Sequence, residues 1–166
     1  MRSPINLKTW QKQAGKEVQV YICVPHQFII AHHQQLLPDW DLSPANLILF
    51  LQRSSISLQE SSPEVAQEKD ILRQEFIRFG CNLIFALQDR GYKSDLFDPR
   101  TGYPLLTRPG ALKLDDNAVV KALLNYPVIS YKNCSLIVHP LWGNCIYPST
   151  IVSSAPHSLI ESIINA

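Results

Sequence analysis

Three residues in the C-terminal third carry side chains that could act together on a soft metal or in thiol redox chemistry. Cys134, His139 and Cys145 are close in sequence, and two thiols with an imidazole form a ligand set that zinc and related metals accept. Their spacing is not that of a zinc knuckle. Free cysteine is also among the most buried residue types, so inert core thiols are the alternative. Cys23 and Cys81, which lie inside apolar segments, are predicted to be core residues.

The acidic residues give a weaker signal for catalysis. Four aspartates could be arranged as paired carboxylates for acid–base work: Asp95, Asp98, Asp115 and Asp116. Asp98 and one of the last two are better explained as turn and helix-cap residues. The chain contains no GxGxxG, GxxxxGK[ST], HExxH or GxSxG motif. We therefore predict no catalytic residues and no metal site.

The segment Pro140–Asn144 (PLWGN) is less easily explained by packing alone. Trp142 and Gly143 are predicted to lie in a loop between two strands, beside His139, where a large ring with a polar tip could form part of a binding surface. A tryptophan that closes the end of the core explains the segment equally well. The sequence leaves these two interpretations open.

Composition limits the functional classes. The chain has 166 residues, 46% of them hydrophobic and 17% charged, with a net charge of +1. A chain of this length can bury a full core, and the weak net charge argues against a partner that is a nucleic acid or a membrane surface. The longest apolar runs are too short for a membrane helix. Four cysteines without a CxxC pair are typical of thiols in a reducing compartment, so a cytoplasmic location is expected.

Hydrophobic patterning positions these residues on strands and helices. Alternation and apolar runs predict strands, and helical spacing with caps predicts helices. The predicted strands are 18–24, 46–52, a hairpin over 92–107, 133–139 and 146–153, and the predicted helices are 26–37, 63–90, 115–124 and 156–164. The expected fold is α+β: one layered domain over 18–166, with a mixed or antiparallel sheet and flanking helices, preceded by an N-terminal arm over 1–17.

Two local expectations follow from this pattern. In the hairpin, Asp98, Pro99 and Gly102 are expected to build the turn, because aspartate bonds its own turn, proline fixes the first corner and glycine returns the chain. In strand 133–139, neighbouring side chains should point to opposite faces. We therefore expect Cys134 to point into the core, and Asn133 and Ser135 to point outward.

The order of several motifs resembles one known family, the methylmalonic aciduria and homocystinuria type D proteins. The resemblance runs from about Val18 onward, and no single motif is specific by itself. The motifs are Leu36–Asp39, Ala86–Tyr92 (ALQDRGY), Asp95, Asp98–Pro99, Gly102, Cys134, His139–Gly143 (HPLWG) and Ala155–Pro156.

This resemblance implies a non-catalytic α+β domain related in fold to flavin-dependent nitroreductases but without flavin. The family docks onto a type C cobalamin-processing protein and directs vitamin B12 to methionine synthase and methylmalonyl-CoA mutase. No cofactor is expected to stay bound to the chain alone. In the complex, a cysteine thiolate reaches the cobalt of cobalamin that the partner holds, which is reasonable for a soft ligand.

The resemblance also implies the site residues. The family form has two adjacent cysteines, the first of them the cobalt ligand, where this chain has Asn133–Cys134. The resemblance therefore implies that Cys134 and Asn133 face cobalamin, whereas strand alternation alone predicts an inward Cys134. The partner interface is expected at Ser135, His139, Trp142 and Gly143.

Two other functions are weighed against this one. A nitroreductase-like enzyme would retain flavin or use Cys134, His139 and Cys145, with Arg100 and Arg108 as candidate phosphate ligands. A structural subunit would have a stable protein partner and no corrinoid. Family members that act in two compartments match this chain over their C-terminal portion, so the expectation is a bare domain that works in one compartment.

Overall fold

The computed structural model describes residues 6–11 and 17–166. The strands are β1 Asn6–Gln11, β2 Glu17–Cys23, β3 Asn46–Arg53, β4 Ser94–Phe97, β5 Val128–Tyr131, β6 Cys134–Ile137 and β7 Ile146–Ser153. The helices are α1 Gln27–Ala31, α2 His33–Leu36, α3 Pro63–Gln88, α4 Asp116–Leu124 and α5 His157–Asn165.

Five strands form the central sheet in the order β1-β2-β3-β7-β4, and each neighbouring pair is antiparallel. Strand β3 is central, with Asn46 opposite Ser153 of β7 and Leu47 opposite Cys23 of β2. The predicted α+β class, with an antiparallel sheet and flanking helices, is confirmed, and the relation to nitroreductases stays a prediction. Residues 6–11, assigned to an N-terminal arm in the sequence analysis, form strand β1 beside β2.

The sheet is covered on both faces because its strands carry apolar side chains on both. One core, with α3 and α5, includes Ile48, Phe50, Phe76, Leu96, Ile151 and Ile160. The other core, with α1, α2, α4 and the segment around β6, includes Leu47, Leu49, Trp40, Val120, Ile137 and Trp142. Burial of successive residues along β3 explains why its sequence is an unbroken apolar run rather than an alternating one.

Helix α3 begins and ends close to where its sequence predicts. The Ser62 hydroxyl accepts a hydrogen bond from the N–H of Val65, and Pro63 occupies the first turn. At the other end, Gly91 has φ +87°, and the N–H of Tyr92 returns to the carbonyl of Leu87. The helix is therefore stopped by local backbone chemistry rather than by tertiary contact.

Three predicted elements differ from the structure. The predicted helix 26–37 is two short helices, α1 and α2, that are separated at His32. The predicted strand 133–139 is shorter, as β6, and it pairs with β5, which the sequence analysis did not predict. The second arm of the predicted hairpin 92–107 forms only a single bridge, at Pro104 opposite Phe97.

Buried Asp95 explains why that second arm is not a strand. Its carboxylate accepts hydrogen bonds from the backbone N–H groups of Leu106 and Thr107 and from the Thr107 hydroxyl. These backbone donors therefore bond a side chain instead of a neighbouring strand. Strand β4 pairs with β7 as the edge of the central sheet.

Within residues 6–11 and 17–166, none of the helices combines the length and the apolar character that crossing a membrane requires.

The turn after β4 makes a specific demand on residue type. Gly102 has φ +78°, and a Cβ placed there would lie 2.8 Å from the Leu114 carbonyl oxygen. Gly91 has a similar φ but open space around its missing Cβ. We expect Gly102→Ala to lower the free energy of unfolding by about 2–4 kcal/mol, and Gly91→Ala by about 1–2 kcal/mol, because only the first adds a clash to the left-handed strain.

Urea denaturation of the two variants and the parent protein measures these losses. Equal losses would show that the segment carrying Leu114 moves aside at little cost.

Candidate functional site

The tip of the β5–β6 hairpin presents a cysteine to solvent. Lys132 and Asn133 form a two-residue turn with φ values of +45° and +63°, as a type I′ hairpin turn requires. Tyr131 and Cys134 face each other across this turn, and Cys134 is exposed. The expectation that Cys134 points into the core is therefore wrong.

The physical reason is the location of β6. The strand belongs to a separate two-stranded sheet, and only its far end, at Ile137, enters the core. The alternation of side chains along a strand predicts which of them are buried only when one face of the whole strand is covered. Cys134 and Ser135 lie before that covered end, and both are exposed.

Two side-chain interactions hold this hairpin. The amide of Asn117 on α4 donates a hydrogen bond to the carbonyl of Ser135 at 3.2 Å. The carboxylate of Glu60 accepts from the Tyr131 hydroxyl and forms an ion pair with Lys132. The exposed thiol therefore lies on a segment that is bonded to both α4 and the loop before α3.

A cleft of about 640 Å³ opens beside this thiol, and we name it the Cys134 cleft. Its walls are the loop before α3, the first turns of α3 and α4, the turn over 99–102, and parts of β6 and β7. Cys134 and Ser135 lie on one wall, and Pro99 and Gly102 of the predicted turn lie on another. The fold thus brings residues far apart in sequence to one concave surface.

An ion pair fixes the turn wall. The guanidinium of Arg73 donates two hydrogen bonds to the Asp98 carboxylate, at 2.7 and 2.6 Å. The hydrogen bonds from Arg73 hold the pKa of Asp98 below its ordinary value. Asp98 also accepts from the N–H of Arg100 within its own turn. Such a two-point contact sets the orientation of the turn relative to α3.

Asp116, a residue of the cleft lining, has a carboxyl group whose pKa is raised. Although the residue as a whole is partly exposed, its carboxyl group is enclosed, and it accepts a hydrogen bond from the Thr150 hydroxyl at 2.7 Å. Burial raises the pKa of Asp116 to about 7, and the nearby charges of Asp115 and Asp98 act in the same direction. Tyr147, a half-buried residue of the lining, has a raised pKa for the same main reason, desolvation of its hydroxyl.

His139 and Trp142 are structural residues in this fold. Their rings stack at a centroid distance of 4.0 Å, and both residues are buried. The His139 Nδ1 accepts from the N–H groups of Leu141 and Trp142, so the ring proton lies on Nε2 and is donated to Gln19. Burial lowers the pKa of His139. Of the two interpretations of the PLWGN segment, core closure is the one that the structure favours.

This burial corrects the expected interface. Neither His139 nor Trp142 is accessible to a partner, because packing and hydrogen bonds use both side chains, including the Trp142 N–H bond to Glu17. Gly143 is half-buried, with φ +60°, and exchanges two backbone hydrogen bonds with His139. Ser135 remains on the surface with Asn133 and Cys134.

The possible metal cluster does not assemble in the part of the chain that the structure describes, where no three His, Cys, Asp or Glu side chains are grouped for a metal ion. Cys145 is half-buried and packs against the core, while Cys134 is exposed. The other two thiols, Cys23 and Cys81, are buried and half-buried. Arg108, a candidate phosphate ligand, forms an ion pair with Asp39 instead.

Three residues of the site could not be assigned a site role from sequence. Arg73, Thr150 and Asp116 each depend on a partner that is remote in sequence: Arg73 and Asp98 are 25 positions apart, and Asp116 and Thr150 are 34 apart. Asp116 gave a partial signal, since Asp115–Asp116 was recognised as a helix start, and Asp115 is the N-cap. That signal says nothing about the environment of the second carboxyl.

Comparison with known proteins supplies independent information. The family model described as "Methylmalonic aciduria and homocystinuria type D protein" matches residues 5–163. Relatives named "Cobalamin trafficking protein CblD" are 23% identical over 148 residues in Mus musculus and 22% identical over 148 residues in Homo sapiens, covering 89% of this chain and 49% of each relative. The Gallus gallus relative is 21% identical over 150 residues, 90% of this chain and 50% of the relative. The chain thus spans about half the length of these relatives.

The raised pKa of Asp116 predicts a defined pH dependence. The folded protein keeps this proton up to about pH 7, whereas the unfolded chain releases it near pH 4. The folded state therefore binds more protons between these values, so this residue lowers the free energy of unfolding as pH rises through that interval. Asn in its place stays neutral and still accepts from Thr150. We expect Asp116→Asn to be more stable than the parent protein by about 3–4 kcal/mol at pH 8, because the folded and unfolded pKa values differ by about 3, at about 1.4 kcal/mol per pKa unit.

At pH 5 the folded parent carboxyl is protonated but that of the unfolded chain is mostly ionised, so the advantage of the variant should fall to about 1–2 kcal/mol. Chemical denaturation at both pH values tests this, and effects of other titrating groups cancel in the difference. A constant difference between pH 5 and pH 8 would show that Asp116 has an ordinary acidity.

Proposed function

The chain belongs to the methylmalonic aciduria and homocystinuria type D protein family, and from this premise we propose that it is a non-catalytic adaptor in cobalamin trafficking. It docks onto a type C-like cobalamin-processing protein and directs the cofactor to methionine synthase or methylmalonyl-CoA mutase. Its relatives carry the name of a trafficking protein and not of an enzyme. The observation that supports the proposal most directly is the exposed thiol of Cys134 on the held hairpin tip.

The proposed chemistry is ligand exchange at cobalt. Cobalamin is the cargo and stays on the partner protein. The Cys134 sulfur, as its thiolate, donates a lone pair to the axial position of cobalt and displaces a water ligand, and the thiol proton goes to solvent. The oxidation state of cobalt does not change, so the step requires no further reactant. A thiolate suits this task because it is a soft ligand.

The type I′ turn places Cys134 at an exposed position, and this compensates for the absence of the first of the two cysteines in the family form. Asn133 takes the second positive-φ position of the turn, where asparagine is favoured. Cys134 is the residue immediately after the turn and is exposed. A thiol is therefore available at the hairpin tip although Asn133 stands where the family form has its first cysteine.

The surface that we propose for docking is the exposed part of the segment 133–143. It contains Asn133 and Ser135, which flank Cys134 at the hairpin tip, and Leu141, which lies beyond the other end of β6 and is 78% exposed. The stacked rings of His139 and Trp142 are the buried part of this segment, and the His139 ring accepts a hydrogen bond from the N–H of Leu141. Such support keeps the surface ordered before a partner binds, which reduces the entropic cost of association.

The first test follows the thiol. We expect the absorption spectrum of aquocobalamin held by the type C-like protein to change when the purified chain is added at pH 8, because sulfur replaces water on cobalt. Cys134→Ser should abolish the change. Cys81→Ser is the matched control, since it removes a half-buried thiol on α3 and should leave the change intact. If Cys134→Ser gives the same spectral change as the parent, the thiol assignment is wrong.

A second test follows docking separately. We expect Ser135→Arg combined with Leu141→Asp to weaken binding to the type C-like protein of the same host by at least about tenfold, because both substitutions place charge in the contact. Phe85→Asp, on the exposed face of α3 with 51% of the residue accessible, is the control. Surface plasmon resonance gives both affinities. Equal losses in the two proteins would locate the interface elsewhere.

A further inference from the structure

The Cys134 cleft gathers positive charge that the cobalt chemistry does not use. Lys69 of α3, Arg100 of the turn and Lys113 of the loop before α4 all line it. We propose that this cleft is a binding site for a phosphoryl group of a small-molecule ligand, with these three side chains as its charge partners. The inference goes beyond the adaptor role and does not depend on it.

The three cations are brought together by the turn over 98–102. Arg73 holds this turn through Asp98, and Lys69 precedes Arg73 by four positions, so it lies on the same face of α3 one helical turn away. Arg100 belongs to the turn itself. The Cβ of Lys113 approaches the position of a Cβ on Gly102 to 3.0 Å. Arg100 and Lys113 are therefore adjacent to the same short piece of backbone, and Lys69 lines the same cleft from α3.

These cations have free hydrogen-bond donors. Across the described part of the chain, the side chains of Lys69, Arg100 and Lys113 form no ion pair. Lys113 has a ring contact, with its Nζ 5.4 Å from the centre of the Tyr103 ring, which occupies none of its N–H groups. Arg100 is in the field of Asp98, whose two oxygens already bond Arg73.

Three carboxylates also line the cleft, and each is engaged within the protein. Glu60 is bonded to Tyr131 and Lys132. Asp115 accepts from two backbone N–H groups at the start of α4. Asp116 accepts from Thr150, and its raised pKa leaves it largely uncharged below neutral pH. The carboxylates of the lining are therefore used within the protein, and the positive charges of Lys69, Arg100 and Lys113 remain to attract a ligand.

The shape and the donors favour a phosphoryl group. A concave volume of about 640 Å³ fits a small molecule rather than an extended chain. Ser61 and Ser135, also in the lining, add hydroxyl donors to the ammonium and guanidinium groups. Phosphate oxygens accept several charge-assisted hydrogen bonds at once, which a site with one guanidinium and two ammonium groups can supply.

The test uses the purified chain and inorganic pyrophosphate, without cobalamin or partner. Amide signals of the ¹⁵N-labelled protein are followed by NMR at pH 6.5 and constant ionic strength. We expect saturable shifts confined to the cleft lining, at residues 99–102, 113–117, Ser61, Ser135 and the start of α3. Arg100→Gln combined with Lys113→Gln should weaken the fitted affinity by at least about tenfold, since two charge-assisted contacts are lost.

Arg78→Gln combined with Lys121→Gln is the matched control. It removes the same net charge at exposed positions of α3 and α4 that do not line the cleft, and it should retain the parent affinity. Shifts that do not saturate, that spread over the surface, or that weaken equally in both double variants would show a general ion atmosphere and overturn the proposal. Because cobalamin is absent, neither result bears on the ligand role of Cys134.

Discussion

The need to cover both faces of strand β3 organises this fold. Seven consecutive residues, Asn46–Gln52, are buried in the middle of the sheet. A single layer of helices could cover only one face. The chain therefore places α3 and α5 on one side, and α1, α2, α4 and the β6 segment on the other. The hairpin that carries Cys134 exists where it does because its inner end, at Ile137, completes the second core.

The same packing explains why the cleft forms at the margin of the sheet. Helix α3 packs mainly against one face of the sheet. Near its N-terminal end, however, Arg73 forms an ion pair with Asp98 in the loop that follows β4. Helix α4 starts on the opposite side, with Asp116 bonded to Thr150 of β7. Polar contacts at the edge thus join elements of the two layers. The space between them is lined by side chains from both, which neither layer could provide alone.

Sequence patterns predicted most of this framework because they report local physics. The caps of α3 at Ser62 and Gly91, the N-cap Asp115 and the apolar run of β3 each follow from interactions within a few residues. The fold class follows from their order. Strand β5 was not predicted because it has only four residues, which end directly at the Lys132–Asn133 turn, and none of them is fully buried. The break at His32 is likewise too small for periodicity to reveal.

The site itself was beyond local reasoning, and Cys134 shows why. Strand alternation assigned it to the core, whereas its accessibility depends on which sheet β6 joins and where along the strand the core begins. His139 and Trp142 were expected at the partner interface but are buried. A sequence does not distinguish a ring that supports a surface from one that forms it. In the structure these rings lie buried and hold the backbone of the segment that ends in exposed Leu141. Buried aromatic packing therefore fixes the exposed backbone of this segment, and the sequence pattern alone does not show which of its side chains reach the surface.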